Sequence, residues 1–245
     1  MRIKRERTHS SQYDANFYVE QSSDSFESAK SVLPIVFNLI GTPSSIIDVG
    51  AGIGAWSSVS KELGVSEVVC LEGNWIENVE TLVPRNNYKI LDLNQPFSDS
   101  TDYELVICIE VAEHLDKERA RGFISDITKL SNTILFSAAV PGQGGTDHRN
   151  EAKLSYWSEL FKENGFYLYD KIRPEIWNLE TIAPWYRQNL VIFSKLDKIN
   201  LADSKSVIDI IHPSMFESMS ISNFSSVDLL KIVAGRIKSK MKRGS

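Results

Sequence analysis

The sequence predicts an α/β protein with a mostly parallel, doubly wound sheet that carries helices on both faces. Short apolar runs, typical of buried strands, alternate with segments in which apolar residues recur at helical spacing. The first apolar run leads directly into a glycine-rich turn, Gly50-Ala51-Gly52-Ile53-Gly54. The 245 residues, 42% of them hydrophobic, are enough for one sizeable domain with its own core.

Seven strands are predicted from these apolar runs. In chain order they are expected at residues 45–49, 67–71, 88–91, 103–109, 133–139, 166–172 and 189–194. Because strand and helix alternate along most of the chain, the sheet should be largely parallel, with an antiparallel last strand. The last two strands are expected to follow each other with no helix between them.

Helices are predicted wherever the apolar period changes to that of a helix. They are expected at residues 25–40, 54–63, near 74–82, near 116–130 and at 153–164. Pro34 falls inside the first and should disturb it, because proline lacks the backbone N–H donor. Asn164-Gly165 is a typical helix end.

Composition divides the chain into four segments. Residues 1–23 form a polar N-terminal segment, 24–195 the domain, 196–224 a serine-rich linker or strap, and 225–245 a basic amphipathic helical tail. The net charge of −5 combines +3 in residues 1–7 and +6 in residues 231–245 with −14 between them. An acidic body disfavours nucleic acid as a partner, whereas the basic helix suits an anionic membrane surface. A helix packed on the domain, or a solvated tail, is the alternative for residues 225–245.

A cytoplasmic location is expected, with peripheral contact at the inner membrane surface as an addition. No run of eighteen apolar residues is present, and the basic N-terminus has no apolar run of a secretory signal behind it. Cys70 and Cys108, the two cysteines, lie in strand-like runs and should be buried free thiols.

The glycine-rich turn predicts a nucleotide site at the carboxyl edge of the sheet. Glycines let a ligand approach the backbone closely, and the following helix points its free N–H groups at it. The turn can be aligned with the dinucleotide pattern G-x-G-x-x-A. Asp48, two residues before Gly50, argues against this, because a carboxylate repels a diphosphate and attracts a cofactor that carries ammonium and sulfonium groups.

The stretch from Asp48 to Gly54 resembles Asp-x-Gly-x-Gly-x-Gly, the first motif of the class I S-adenosylmethionine (SAM)-dependent methyltransferases. The resemblance covers roughly residues 25–195 and implies a Rossmann-like transferase that converts SAM to S-adenosylhomocysteine (SAH). Acids follow the next three strands as well. A carboxylate at Glu72 can accept the ribose hydroxyls, while the resemblance gives Asp92 the adenine amino group and Leu93 the adenine ring. The expected cofactor residues are Asp48, Gly50, Gly52, Gly54, Glu72, Gly73, Asp92, Leu93 and Glu110.

The candidate catalytic residues are His148, Glu110 and Glu113. In a helical turn Glu110, Glu113 and His114 would share one face, and the glycine-rich loop 141–151 would bring His148 to the same edge. His148 suits a general base. Alternatively, the four side chains bind a divalent metal, an arrangement similar to that of metal-dependent small-RNA 2′-O-methyltransferases. Purely structural roles for both histidines are the third interpretation.

These residues favour O-methylation of a saccharide or another small hydroxylated acceptor. No Asn/Asp-Pro-Pro-Tyr tetrapeptide follows the fourth strand, which disfavours amide and amine methylation. The segment 136–157 resembles bacterial methyltransferase-domain proteins, several of which belong with polysaccharide and glycolipid tailoring enzymes. Aromatic residues around the last strands suit a sugar ring or, more simply, the core; they are Trp157, Trp177, Trp185 and Tyr186. The alternatives are a metal-dependent RNA 2′-O-methyltransferase and a non-catalytic SAM-binding scaffold.

Overall fold

A computed structural model of the chain describes residues 15–195 and 209–218, with side chains from residue 24 onward. It is built on a seven-stranded sheet of order β3-β2-β1-β4-β5-β7-β6. The strands are β1 Ser45–Val49, β2 Glu67–Glu72, β3 Tyr88–Ile90, β4 Leu105–Ile109, β5 Thr133–Ser137, β6 Tyr167–Tyr169 and β7 Val191–Ser194. β7 runs antiparallel to both β5 and β6, and the other pairs are parallel. The predicted mostly parallel seven-stranded sheet with an antiparallel last strand is confirmed.

Helices cover both faces of the sheet. They are α1 Ala15–Ile40, α2 Ala55–Glu62, α3 Ala120–Ile127, α4 Leu154–Glu163, α5 Ile172–Ile176, α6 Pro184–Asn189 and α7 Pro213–Ser218. α1 continues through Pro34, contrary to the expected disturbance. Pro34 is exposed, whereas Val32, Leu33 and Val36 beside it are fully buried, so packing of the apolar face holds the helix across the proline.

Two sequence-based expectations about connections were wrong. The last two strands are joined through α5 and α6 and not directly, because Ile172 and Ile176 bury a helical face and Pro184 suits the first turn of α6. The helix expected near 74–82 is only a 3-10 turn, Asn74–Asn78, which ends where Val79 becomes extended.

The core forms one layer on each face of the sheet, as alternation along β5 shows. Ile134 and Phe136 pack in the layer that contains α3 and α4, whereas Leu135 packs in the layer that contains α1 and α2. Burial of each such side chain contributes roughly 1.5–3 kcal/mol. The expectation of two buried free thiols is confirmed. Within the described part of the chain, no helix is long and apolar enough to cross a membrane.

Residues 209–212 are part of the predicted linker 196–224 and lie against the domain at the carboxyl edge of the sheet. These four residues alone are called the strap from here on. Asp209 accepts hydrogen bonds from the backbone N–H (3.0 Å) and hydroxyl (2.7 Å) of Ser155 at the start of α4. The side chain of Gln188 donates to the carbonyl of Ile210 at 2.7 Å and accepts from the N–H of His212. The strap leads into α7. The amphipathic helix predicted at 225–245 lies outside the described residues.

Candidate functional site

The glycine-rich turn follows β1 and is folded tightly against its neighbours. Gly50, Gly52 and Gly54 have φ angles of 75°, 56° and 90°, which only glycine adopts without strain. A Cβ on Gly50 would lie 2.5 Å from a methyl group of Val111, whereas a Cβ on Gly52 would meet nothing within 4 Å. The turn is therefore closed on the side of β4 and open at Gly52, where a ligand can approach the backbone.

Asp48 is a buried carboxylate at the end of β1. It accepts a hydrogen bond of 2.7 Å from the Ser57 hydroxyl in α2. Burial raises the pKa of Asp48 to about 7, and the nearby negative charge of Glu72 adds to this rise. A cationic ligand group beside Asp48 would oppose both effects and favour the carboxylate. The site is thus electrostatically suited to a positive charge.

Glu72 at the end of β2 is bound to the same turn. Its carboxylate accepts the backbone N–H groups of Gly52 (2.8 Å) and Gly73 (2.7 Å) and the indole N–H of Trp75 (2.9 Å). Burial raises the pKa of Glu72, and these three hydrogen bonds partly offset the rise. The two carboxylate oxygens have four lone pairs, of which these hydrogen bonds use three, so one on Oε2 remains for a ligand hydroxyl.

The structure places Asp92 and Leu93 just beyond β3, next to Glu72. The Leu91 N–H donates to the Glu72 carbonyl at 2.9 Å, which joins the two strand ends. Asp92 is partly exposed and accepts the Asn94 N–H at 2.9 Å, so it stabilises its own turn. Leu93 is buried in the core layer at this edge. Asp48, Glu72 and Asp92 therefore all lie at the carboxyl edge, and Asp92 is the one that reaches solvent.

Glu110 follows β4 in a left-handed backbone conformation, with φ 52°. Its N–H donates to the carbonyl (3.1 Å) and hydroxyl (3.0 Å) of Ser137 at the end of β5. Its carboxylate accepts the side-chain amides of Gln143 at 2.7 Å and Asn189 at 3.1 Å. Asn189 also donates to Gln143 at 2.9 Å. Two amides that the sequence did not single out therefore position Glu110, whose pKa is raised by burial.

Glu110, Glu113 and His114 do not share a helical face as predicted. A 3-10 turn covers only Ala112–His114, and Glu110 precedes it in its left-handed conformation. The two glutamates nevertheless meet: burial, followed by the negative charge of Glu110, raises the pKa of Glu113 well above its usual value. Glu113 is 0% exposed, and neither carboxylate oxygen has a hydrogen-bond partner of normal geometry in the described residues, although the backbone N–H of Ala139 and the Glu110 carboxyl lie near enough to affect its pKa. Such a group requires a proton or a cation as its partner.

His114 and His148 lie against each other beside Glu113, with ring centroids 4.8 Å apart. Burial, followed by the charge of His148, lowers the pKa of His114 to about 4, so this ring is neutral at physiological pH. Its Nδ1 is buried and has no hydrogen-bond partner in the described chain. His148 Nδ1 lies 3.0 Å from the Glu151 carboxylate. The carbonyl of Glu113 accepts the N–H groups of Arg149 and Asn150, which fixes the loop that carries His148.

Glu113, His114 and His148 could hold a metal ion. One ligand atom from each lies within 4.8 Å of the others. Neutral imidazole nitrogens and a carboxylate oxygen are suitable ligands for a divalent cation, and a carboxylate such as Glu151 typically orients a ligating histidine. Glu110, the fourth predicted ligand, adjoins this group but is engaged by two amides. The structure thus brings three of the four residues together as a donor set.

Of the four aromatic residues suggested for the acceptor, Trp157 and Tyr186 are buried in the core, whereas Trp177 and Trp185 are half-buried. Trp157 is 1% exposed and packs on Phe136 with ring centroids 5.7 Å apart. Tyr186 is buried against Trp56, with centroids 5.3 Å apart. Packing in the core therefore accounts for Trp157 and Tyr186.

Comparisons with known proteins concern the fold. No protein-family model and no curated protein matches the chain. A chain from the complex between the Haloferax volcanii Trm112 methyltransferase activator and a proposed methyltransferase is 10% identical, with a TM-score of 0.55 over 76% of this chain and 99% of that one. A proposed O-methyltransferase from Nostoc punctiforme is 12% identical, with a TM-score of 0.52 over 74% of this chain, which spans 59% of that protein.

A SAM-dependent methyltransferase from Archaeoglobus fulgidus is 18% identical, with a TM-score of 0.48 over 62% of this chain and 75% of that one. At these identities the likeness to the first two structures, whose TM-scores exceed 0.5, is one of architecture. It agrees with the strand order and with the antiparallel β7. The chain has the fold of the class I SAM-dependent methyltransferases.

Proposed function

We propose that the chain is a SAM-dependent methyltransferase that methylates a hydroxyl oxygen of a saccharide or another small hydroxylated acceptor. One observation carries the proposal: a group of acids and histidines, of which Glu113 is fully buried and the others are half-buried, directly adjoins the glycine-rich turn. Val111, which follows Glu110, lies 2.5 Å from the position that a Cβ on Gly50 would occupy. A ligand in the turn would therefore have these acids and histidines as neighbours on the side of β4.

The carboxylates of the turn support SAM as the ligand. Asp48 is buried and suited to a positive charge, and SAM carries an ammonium and a sulfonium group. Glu72 retains one free lone pair, on Oε2, for a ribose hydroxyl while it holds the N–H groups of Gly52 and Gly73. A dinucleotide would bring a diphosphate towards two acids that burial already disfavours in the charged form.

The reaction requires that the acceptor oxygen be oriented and lose its proton. Bound SAM supplies an electrophilic methyl carbon; the acceptor oxygen forms the new bond to it as the carbon–sulfur bond breaks, leaving SAH. His148 is the candidate base. Glu151 at 3.0 Å from Nδ1 favours the tautomer with its proton there, which leaves Nε2 as the basic nitrogen. The raised pKa of Glu113 makes this carboxyl a candidate proton donor and acceptor as well.

A divalent cation held by Glu113, His114 and His148 is the second form of the proposal. It is favoured by the buried carboxylate oxygens and the buried Nδ1 that have no partner within the described residues. A cation there would bind an acceptor hydroxyl and lower its pKa. The same unpartnered atoms support metal-dependent RNA 2′-O-methylation as the second candidate function. The negative charge of the chain between its basic ends disfavours RNA as the acceptor.

Calorimetric titration of the full chain with SAH, with and without Mn²⁺, tests the cofactor and the cation separately. We expect micromolar SAH binding that Glu113→Gln and His148→Ala retain. If the cation site exists, Mn²⁺ binds the wild type and is lost in both variants, while Glu118→Gln, a change at an exposed acid, leaves it unchanged. Failure to bind SAH under either condition would overturn the proposed cofactor.

Transfer of labelled methyl from SAM to saccharide fractions and to RNA separates the remaining candidates. Labelling of saccharides without added metal supports the first form. Labelling of RNA that a chelator abolishes and Mn²⁺ restores supports the second function. SAH binding with no transfer to any acceptor would leave the non-catalytic scaffold.

Peripheral contact with an anionic membrane through residues 225–245 is part of the same proposal. It is supported by the six basic residues and the absence of acids in residues 231–245. Co-sedimentation with anionic vesicles should be lost when the chain is truncated before Ser225. Equal sedimentation of the two forms would refute the contact.

A further inference from the structure

A cavity of about 160 Å³ lies between the strap and the carboxyl edge of the sheet. Its walls come from the segment after β5, from the start of α4, from the buried Arg173 of α5 and from the end of α6, and Ile210 and Ile211 of the strap complete them. Those wall residues include Ala138, Val140, Leu154, Trp157, Gln188 and Asn189. A protein cavity of about 150 Å³ is known to accommodate benzene, so this cavity has the size of one six-membered ring. A whole nucleotide exceeds it.

The cavity lies on the far side of Glu110 from the glycine-rich turn. Along the sheet edge the turn follows β1, Glu110 follows β4, and the cavity adjoins the ends of β5 and β7, in the order in which these strands neighbour one another. Asn189 joins the two regions because its side chain lines the cavity and donates to Glu110 at 3.1 Å. A ring bound in the cavity would therefore be separated from Glu110 only by the side chain of Asn189.

Asn189 also gives the cavity a directed polar group. Its two amide hydrogens are used by Glu110 (3.1 Å) and Gln143 (2.9 Å). Its Oδ1 has no hydrogen-bond partner among the residues that the structure describes, so it can accept a hydrogen bond from a ligand. The network fixes which end of the amide is oxygen, since only the NH₂ group can donate to the carboxylate.

The strap is held as part of the wall by specific contacts. Gln188 makes both a donor and an acceptor bond to the backbone of the strap, at Ile210 and His212, in the manner of a neighbouring strand. His212 Nε2 lies 2.7 Å from the carbonyl of Trp177, and Asp209 is bonded to Ser155. Gln188 thus forms hydrogen bonds to the strap, while the adjacent Asn189 forms one to Glu110.

We propose that this cavity is an acceptor subsite that holds one hydroxylated six-membered ring, with a ring hydroxyl donating to Asn189 Oδ1. The inference rests on the proposed methyltransferase function and narrows its substrate class to saccharides and similar ring polyols. The mostly apolar walls contact the ring faces, and a cavity of about 160 Å³ is too small for a polynucleotide. Gln188 positions the strap against the cavity through its two hydrogen bonds.

Binding of simple sugars to the SAH-saturated full chain tests the subsite. The probes are a panel of methyl glycosides of common hexoses, with AMP as a nucleotide probe, followed by ligand-observed saturation-transfer NMR. Ala138→Leu fills the cavity from the β5 side and Ile210→Trp fills it from the strap. Ala152→Leu is the matched control, because Ala152 lines a separate surface groove.

We expect at least one glycoside to bind the wild type and Ala152→Leu equally. The dissociation constant should rise about tenfold or more in Ala138→Leu and in Ile210→Trp, a change of about 1.4 kcal/mol. SAH titration of each variant shows whether it is folded, so a variant that misfolds is replaced by the other. Glycoside binding that both filling variants retain would overturn the subsite.

Two further outcomes separate the subsite from the proposed function. If no glycoside of the panel binds the wild type although SAH does, the subsite is wrong and the methyltransferase proposal stands. If AMP binds and Ala138→Leu abolishes its binding, the assignment to a sugar ring is wrong. Failure of SAH itself to bind overturns the proposed function.

Discussion

Replacement of Gly50 by alanine should destabilise the protein through two separable effects. At φ 75° an L side chain costs roughly 1–2 kcal/mol. The new Cβ would also lie 2.5 and 2.9 Å from the two methyl groups of Val111, and overpacking of this kind costs about 1–3 kcal/mol. The free energy of unfolding should therefore fall by about 2–5 kcal/mol in total.

Urea denaturation of a small set of variants measures the two effects. Gly64→Ala is the control for backbone strain alone, because Gly64 has φ +100° and a Cβ added there would meet nothing within 4 Å. Val111→Ala removes both methyl groups, so the double variant with Gly50→Ala should show a favourable coupling energy of about 1–3 kcal/mol. Equal losses in Gly50→Ala and Gly64→Ala, with no coupling to Val111, would refute this account of the turn.

Three further changes test other parts of the molecule. Gly52→Ala should lower SAH affinity about tenfold or more, since the methyl group enters the open face of the turn, whereas Gly64→Ala should bind SAH normally. The pKa of His114 is about 4 in the folded protein, against the ordinary value of 6.5, so its contribution to stability is present above pH 6.5 and is lost as the pH falls towards 4. Over this range the free energy of unfolding of the wild type should fall by about 3 kcal/mol more than that of His114→Gln. Identical pH dependence of the two proteins would contradict this. Asp170→Asn should lower the free energy of unfolding by about 3–5 kcal/mol, because it removes a buried carboxylate that pairs with the buried Arg173 guanidinium (1% exposed, Nε 2.8 Å from Asp170); a loss below about 1 kcal/mol would contradict it.

The strands were the most predictable part of the fold. β1 occupies 45–49 as predicted, and β1, β4 and β5 are each almost completely buried. A parallel strand covered on both faces needs an uninterrupted apolar run, which is a strong signal over five residues. The boundary at Ile172 was predicted wrongly because Ile172 is apolar like the residues before Asp170 and Lys171, and hydrophobicity alone does not show that the backbone changes conformation between them.

The candidate site was predictable where topology alone brings residues together. Asp48, Glu72 and Glu110 follow three strands that are neighbours in the sheet, so their convergence follows from the strand order. The amides that hold Glu110 were not predictable, because Gln143 and Asn189 lie 33 and 79 residues away and isolated polar residues carry no periodic signal.

The reversed direction of β7 has a consequence for how such a domain can diversify. Residues that precede β7, and not those that follow it, lie at the functional edge beside the ends of the parallel strands. Chain inserted between β6 and β7 is therefore added on the acceptor side, while the connections that build the cofactor turn, between β1 and β3, keep their length. In this chain α5 and α6 lie between β6 and β7, and α6 ends with Gln188 and Asn189. Under the proposed function, insertion or loss of residues at this junction would change the acceptor preference without any change in the glycine-rich turn.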